Sequence, residues 1–140
     1  MGGGKKIVIF FIDGKTIHGG LSDRLRGLFS TYYYCLKEGI DFKVFWTYPF
    51  NLQDYLEPNK VNFFIDLKAI SHNKNEVAFR FFNSYSLMNN NETSFLKIMN
   101  TKKHEIHVYS NITLHEEMYH ISFKASFTPS KMLSDALQFD

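Results

Sequence analysis

The segment Ile7-Val8-Ile9-Phe10-Phe11-Ile12 runs directly into Asp13-Gly14-Lys15-Thr16-Ile17-His18-Gly19-Gly20-Leu21-Ser22-Asp23-Arg24-Leu25-Arg26-Gly27. Six consecutive apolar residues with β-branched content read as a strand buried on both faces, as in a parallel sheet covered by helices. A polar, glycine-bearing turn follows. A helical period then begins with Leu21, Leu25, Leu28, Phe29, Tyr32 and Leu36, and Gly39 is the expected left-handed stop. Strand, loop and helix in that order predict an α/β sheet. In such a sheet the loops leaving the carboxyl ends of strands carry the ligand site, here residues 13 to 26.

Working outward, Asp41 to Trp46 reads as a second strand, with Phe42, Val44 and Trp46 on one face and Lys43 and Phe45 on the other. Two strands joined through a helix make a right-handed parallel βαβ unit. Pro49 breaks the chain, and Asn51 is placed to cap a short helix, Leu52 to Leu56, closed by Pro58. Further strands are expected at 61–67, 76–82 and 104–110. Helices are expected at 93–99, from Glu116 to Phe127, and after a Thr128-Pro129 cap at the end of the chain. The predicted whole is a three-layer, Rossmann-like α/β domain over residues 5–140 with a mostly parallel sheet in the order 3-2-1-4. Residues 1–4, Met-Gly-Gly-Gly, read as a flexible leader.

Composition narrows the function classes. The 140 residues are 44% apolar, 17% aromatic and 21% charged, which suits a packed core. Sixteen basic against fourteen acidic side chains leave a net charge of +2, so no polycationic surface for nucleic acid is implied. The single cysteine, Cys35, falls mid-helix where a small buried side chain is expected, and it fits a reducing, cytoplasmic setting. No apolar run approaches the roughly 18 residues of a membrane span. His115 and His120 are five apart rather than four, and His104 and His107 fall on opposite faces of a strand, so neither pair predicts a metal site.

The loop after the first strand carries the chemistry. Gly19 and Gly20 permit positive φ and close approach to the main chain, and the helix beginning just beyond presents unpaired N–H groups. Arg24 and Arg26 differ in phase by about 200° on a helix, so only one can face the loop mouth, and Arg24 is favoured. A guanidinium there suits bidentate phosphate contact. Asp23 suits the helix N-terminus and can orient an arginine or a sugar hydroxyl. Trp46 and Tyr48, at the carboxyl end of the second strand, either stack on a ligand ring or fill space between the short helix and the sheet. Asn111, at the exit of the 104–110 strand, either bonds a ligand hydroxyl or simply makes a turn.

The run from His18 to Leu28 resembles the N-terminal signature of bacterial glycosyltransferases of the fucosyltransferase type. The segment from Trp46 to Asn59 resembles the second-strand region of such proteins, in particular of capsule and lipopolysaccharide sugar transferases. This resemblance implies one half of a GT-B fold, a GDP-sugar donor, most simply GDP-fucose, a saccharide acceptor, and neither metal nor cofactor. It implies roles for His18 and Asp23 as catalytic groups on the acceptor side. Gly19, Gly20 and Arg24 would hold the donor diphosphate, and Trp46, Tyr48 and Asn111 would bind substrate. The His/Arg nucleotide motif of the second half of such enzymes has no counterpart here, so the expectation is an N-terminal domain for surface polysaccharide synthesis that is inactive alone. The other expectation is a non-catalytic anion-binding or self-associating module, a homodimer through the face that a second domain would cover.

Overall fold

The computed structural model describes residues 6–14, 21–58, 62–82, 100–110 and 127–131. Strand β1 (Ile7–Ile12) leads to helix α1 (Leu21–Glu38) and strand β2 (Asp41–Trp46). A 3₁₀ turn (Leu52–Asp54) and the short strand β3 (Leu56–Pro58) follow, then a second 3₁₀ turn (Leu67–Ala69) and strands β4 (Val77–Phe82), β5 (Glu105–Ser110) and β6 (Phe127–Pro129). Among the described residues four parallel strands form one sheet in the order β2-β1-β5-β4, and β3 and β6 pair antiparallel in a small second sheet. The α/β, Rossmann-like class read from the first strand is therefore the class of the protein.

Hydrophobic alternation sorts the two sheet faces. Val8, Phe10 and Ile12 of β1, Phe42, Val44 and Trp46 of β2, and Ile106 and Val108 of β5 bury one face beneath Leu28, Tyr34 and Cys35 of α1. Ile9, Phe11 and Tyr109 form the other face, with Ile70, Ile65 and Phe45 packed against them. Each fully buried side chain of this size contributes about 1.5–3 kcal/mol. The helix ends as its glycine predicts: Gly39 has φ +69°, and the Ile40 N–H donates to the Cys35 carbonyl at 2.9 Å, the six-to-one bond of a Schellman stop. The helical phase needs one correction. Leu36 is 61% exposed while Cys35 is fully buried. Seven residues after Leu28 return to the same face within about 20°, whereas eight overshoot by about 80°.

The sheet order also differs from expectation. The stretch expected as a third strand, 61–67, makes a single parallel bridge, Phe64 with Val44, outside β2. Asn62 Oδ1 accepts the Phe64 N–H at 3.1 Å and the chain turns into 3₁₀ geometry at Leu67, so only Phe63 and Ile65 remain to bond Val44. On the other side of β1 lies β5, with β4 outside it. From Ile106 to Ser110 every residue of β5 is buried, which demands neighbours on both sides, while β4 carries the exposed Phe79 and belongs at the edge. The short helix expected over Leu52 to Leu56 is a 3₁₀ turn, and Asn51 makes no side-chain capping bond there. Phe127 ends no helix; it lies in β6 with Thr128 and Pro129, paired across to β3. The helices expected at 93–99 and 116–126 lie outside the described residues.

Candidate functional site

The carboxyl edge of the sheet gathers three separate pieces of chain. The Ile12 carbonyl, at the end of β1, accepts the N–H groups of Thr47 at 2.8 Å and Tyr48 at 3.2 Å, which ties the exit of β2 to the exit of β1. Gly14 takes φ +82°, and a Cβ placed on it would lie 2.9 Å from Tyr48 Cγ and Cδ2. The Tyr48 ring thus rests directly on the glycine backbone, an approach that only a residue without a side chain permits. From the first turns of α1, Arg24 Nη1 donates to the Tyr48 carbonyl at 3.2 Å, and its Cζ lies 5.9 Å from the centre of the Tyr48 ring. A guanidinium within that range of an aromatic face is held there by the ring quadrupole.

Two residues singled out from sequence, Arg24 and Tyr48, therefore meet across twenty-four positions of chain. Tyr48 is half exposed, so ring and cation both stand at the rim. Asp23 lies in the first turn of α1. Trp46 does not join this group. As an inward residue of β2 it is 2% exposed, with its ring 6.3 Å from that of Phe50, so it fills the core and offers no stacking surface. Its indole N–H has no acceptor among the described residues. His18, Gly19, Gly20 and Asn111 lie outside the described residues.

Sequence reasoning missed a polar line along β5. Glu105, His107 and Tyr109 share the face opposite α1, while Ile106 and Val108 take the helix-covered one. Tyr109 donates its hydroxyl proton to Asp13 Oδ2 at 3.3 Å, at the exit of β1. Burial first, and the Asp13 carboxylate second, push the Tyr109 phenol well above its ordinary range, so it stays a proton donor. His107 is 5% exposed and stacks against Phe11 at 4.4 Å, with Phe79 edge-on at 5.3 Å. Its Nε2 meets Glu105 Oε2 at 2.5 Å, and the same oxygen accepts the Ser71 N–H at 2.9 Å. Desolvation lowers the His107 pKa and outweighs the pull of Glu105 in the other direction. A neutral imidazole then donates from Nε2 to the carboxylate, which fixes its tautomer. The available signal was the alternation Glu-Ile-His-Val-Tyr: three polar or amphipathic residues at a spacing of two in a strand whose other face is purely apolar.

Chemically, the rim offers a cation, an aromatic face and the start of a helix around a close-packed glycine turn, with the Asp13–Tyr109 bond beside it. Among the described residues no group of three histidine, cysteine, aspartate or glutamate side chains converges as metal ligands. Among them, too, no helix is long and apolar enough to cross a membrane. Comparison with protein-family models, curated proteins and solved structures finds no match to this chain.

Proposed function

We propose that this domain forms one wall of a sugar-nucleotide cleft, as the N-terminal half of a fucosyltransferase-like, GDP-sugar-dependent glycosyltransferase. The observation that supports the reading is the Arg24 guanidinium, carried by the opening turns of α1 to the carboxyl rim of the central strand beside Tyr48. In glycosyl transfer the bond to the anomeric carbon breaks as the acceptor oxygen attacks, and negative charge grows on the departing diphosphate. A fixed guanidinium and helix-end N–H groups stabilise that charge where it develops. In this scheme Arg24 and the Gly19-Gly20 main chain face the diphosphate, while His18 or Asp23 takes the acceptor proton.

Calorimetric titration with GDP-fucose, GDP and inorganic pyrophosphate tests the reading. A charge-assisted hydrogen bond is worth about 1.5–3 kcal/mol, so Arg24→Ala is expected to weaken GDP-fucose binding by roughly 10- to 150-fold. Arg24→Lys is expected to recover only part of the loss, because an ammonium lacks the planar fork. Pyrophosphate bound as tightly as GDP-fucose would reduce the domain to a general anion-binding module. No heat from any of the three, or an Arg24→Ala variant indistinguishable from the parent, would remove the donor site altogether.

A further inference from the structure

On the sheet face opposite α1, one carboxylate oxygen serves two partners. Glu105 Oε2 accepts the Ser71 N–H at 2.9 Å and meets His107 Nε2 at 2.5 Å. We infer that Ser71, Glu105 and His107 form an acid-sensitive latch, which holds residues 70–76 against the sheet and lets that segment lift, ahead of the rest of the fold, when His107 takes a second proton. The latch is independent of whatever binds at the Arg24 rim.

The segment is built to move as a unit. Ser71 Oγ donates to Glu76 Oε2 at 3.0 Å and accepts the Asn73 N–H at 3.2 Å. Asn73 Oδ1 accepts the Asn75 N–H at 2.9 Å, and the Asn73 carbonyl accepts the Glu76 N–H at 2.9 Å. These bonds close within the segment and survive its lifting. Its ties to the sheet among the described residues are the Ser71–Glu105 bond, the Lys103 ammonium on the Lys74 carbonyl at 3.2 Å, and Ile70 in the apolar cluster with Ile9, Phe11 and Tyr109. A surface segment with so few anchors opens at a lower free energy than the core strands do.

His107 supplies the trigger. Its ring is buried against Phe11 and Phe79, and among the described residues Glu105 is its one hydrogen-bond partner. An imidazolium has two N–H donors, so the second, at Nδ1, would be left without an acceptor in a closed latch. The charged groups around the ring divide. Glu105 on its own strand and Asp13 at the exit of β1 favour the proton, while His72 on the segment itself opposes it. From β4 the neighbour is Phe79, which carries no charge; Tyr109 keeps its phenol proton, and Glu76 is engaged by Ser71.

Burial outweighs the two carboxylates and holds the ring of the closed form below its ordinary range. Once the segment lifts, water reaches the ring and it titrates near the usual value of about 6.5. The open form then binds more protons than the closed one, so opening is favoured as pH falls through that value and is unaffected well above it. Lifting uncovers Phe11 beside Phe79, so acid enlarges the apolar surface on this face.

Amide hydrogen exchange followed by NMR tests the latch, read as protection factors so that the intrinsic pH dependence of exchange is removed. At pH 7.5 the Ser71 N–H is expected to be protected at least roughly tenfold less than the Val44 N–H, which donates to the Phe63 carbonyl beside the central strands. Between pH 7.5 and 5.5 the Ser71 protection is expected to fall by about three- to tenfold, ten being the most that one group titrating near 6.5 supplies over that range. The fall should vanish in His107→Gln, whose amide still donates to Glu105, and persist in His72→Gln. Imidazole shifts recorded on the parent give a reading that needs no variant, with His107 expected to titrate below about 6.5. Ser71 protected as well as Val44, protection that holds or rises in acid, a fall that survives in His107→Gln or disappears in His72→Gln, or a His107 ring that titrates at or above its ordinary value would each overturn the latch.

Discussion

Replacing Gly14 with alanine probes the contact on which the rim is built. Two costs add. A residue with a Cβ held at φ +82° pays about 1–2 kcal/mol for the left-handed conformation. The new methyl would also lie 2.9 Å from two atoms of the Tyr48 ring, closer than carbon atoms approach. Because Tyr48 is 50% exposed, its ring can swing outward without breaching the core. The second cost is therefore the lost ring–guanidinium contact, about 0.5–1 kcal/mol at an exposed site. The sum is about 1.5–3 kcal/mol, and at roughly 3–4 °C per kcal/mol for a chain of this size the midpoint should fall by about 5–12 °C. Urea unfolding of Gly14→Ala, Tyr48→Ala and the double variant separates the terms. With Tyr48 already truncated, Gly14→Ala should cost only its backbone share, leaving a coupling of about 0.5–1 kcal/mol between the two positions. A single-variant cost below about 0.5 kcal/mol, or identical costs in both backgrounds, would show that the ring does not rest on Gly14.

His107 should impose a pH dependence on stability. Folding keeps its imidazole neutral, whereas in the unfolded chain it takes a proton near the usual value of about 6.5. The unfolded state thus binds more protons, so the contribution is full above that pH and is lost as pH falls below it. Melting curves between pH 7.5 and 5.5 for the parent and for His107→Gln, whose amide can still donate to Glu105, should diverge on the acid side; parallel curves would mean that His107 does not carry the effect. The helical phase makes a sharper comparison. Leu28→Ala should cost about 2–5 kcal/mol and Leu36→Ala no more than about 0.5 kcal/mol, with equal losses in chemical denaturation contradicting the assigned face.

Strong local patterns survive into the fold because each is settled by its own residues. Ile7 to Ile12 has no polar side to present to water and so becomes an interior strand. The alternation of Asp41 to Trp46 dictates which side chains meet α1, and Gly39 ends the helix because it alone accepts the required φ. For the site, helical phase separates Arg24 from Arg26 by about 200°, but nothing in the sequence paired Arg24 with Tyr48 at the exit of the second strand.

What could not be read locally depended on who stands beside whom. Trp46 carries the same aromatic signature as Tyr48 two residues later. One is sealed inside and the other rests on Gly14 in the open, because the strand ends between them and the inward alternation stops. The order 3-2-1-4 expected from sequence set the strand at 76–82 beside the first, where the structure has the strand at 105–110. Their places were decided by β5 burying both of its faces from Ile106 to Ser110, and the polar groups of Glu105, His107 and Tyr109 find Ser71, each other and Asp13 only once distant segments have docked. Backbone preference and hydrophobic period act over a few residues and are written in the chain. The partnering of buried polar groups acts across the sheet, and only the assembled structure supplies it.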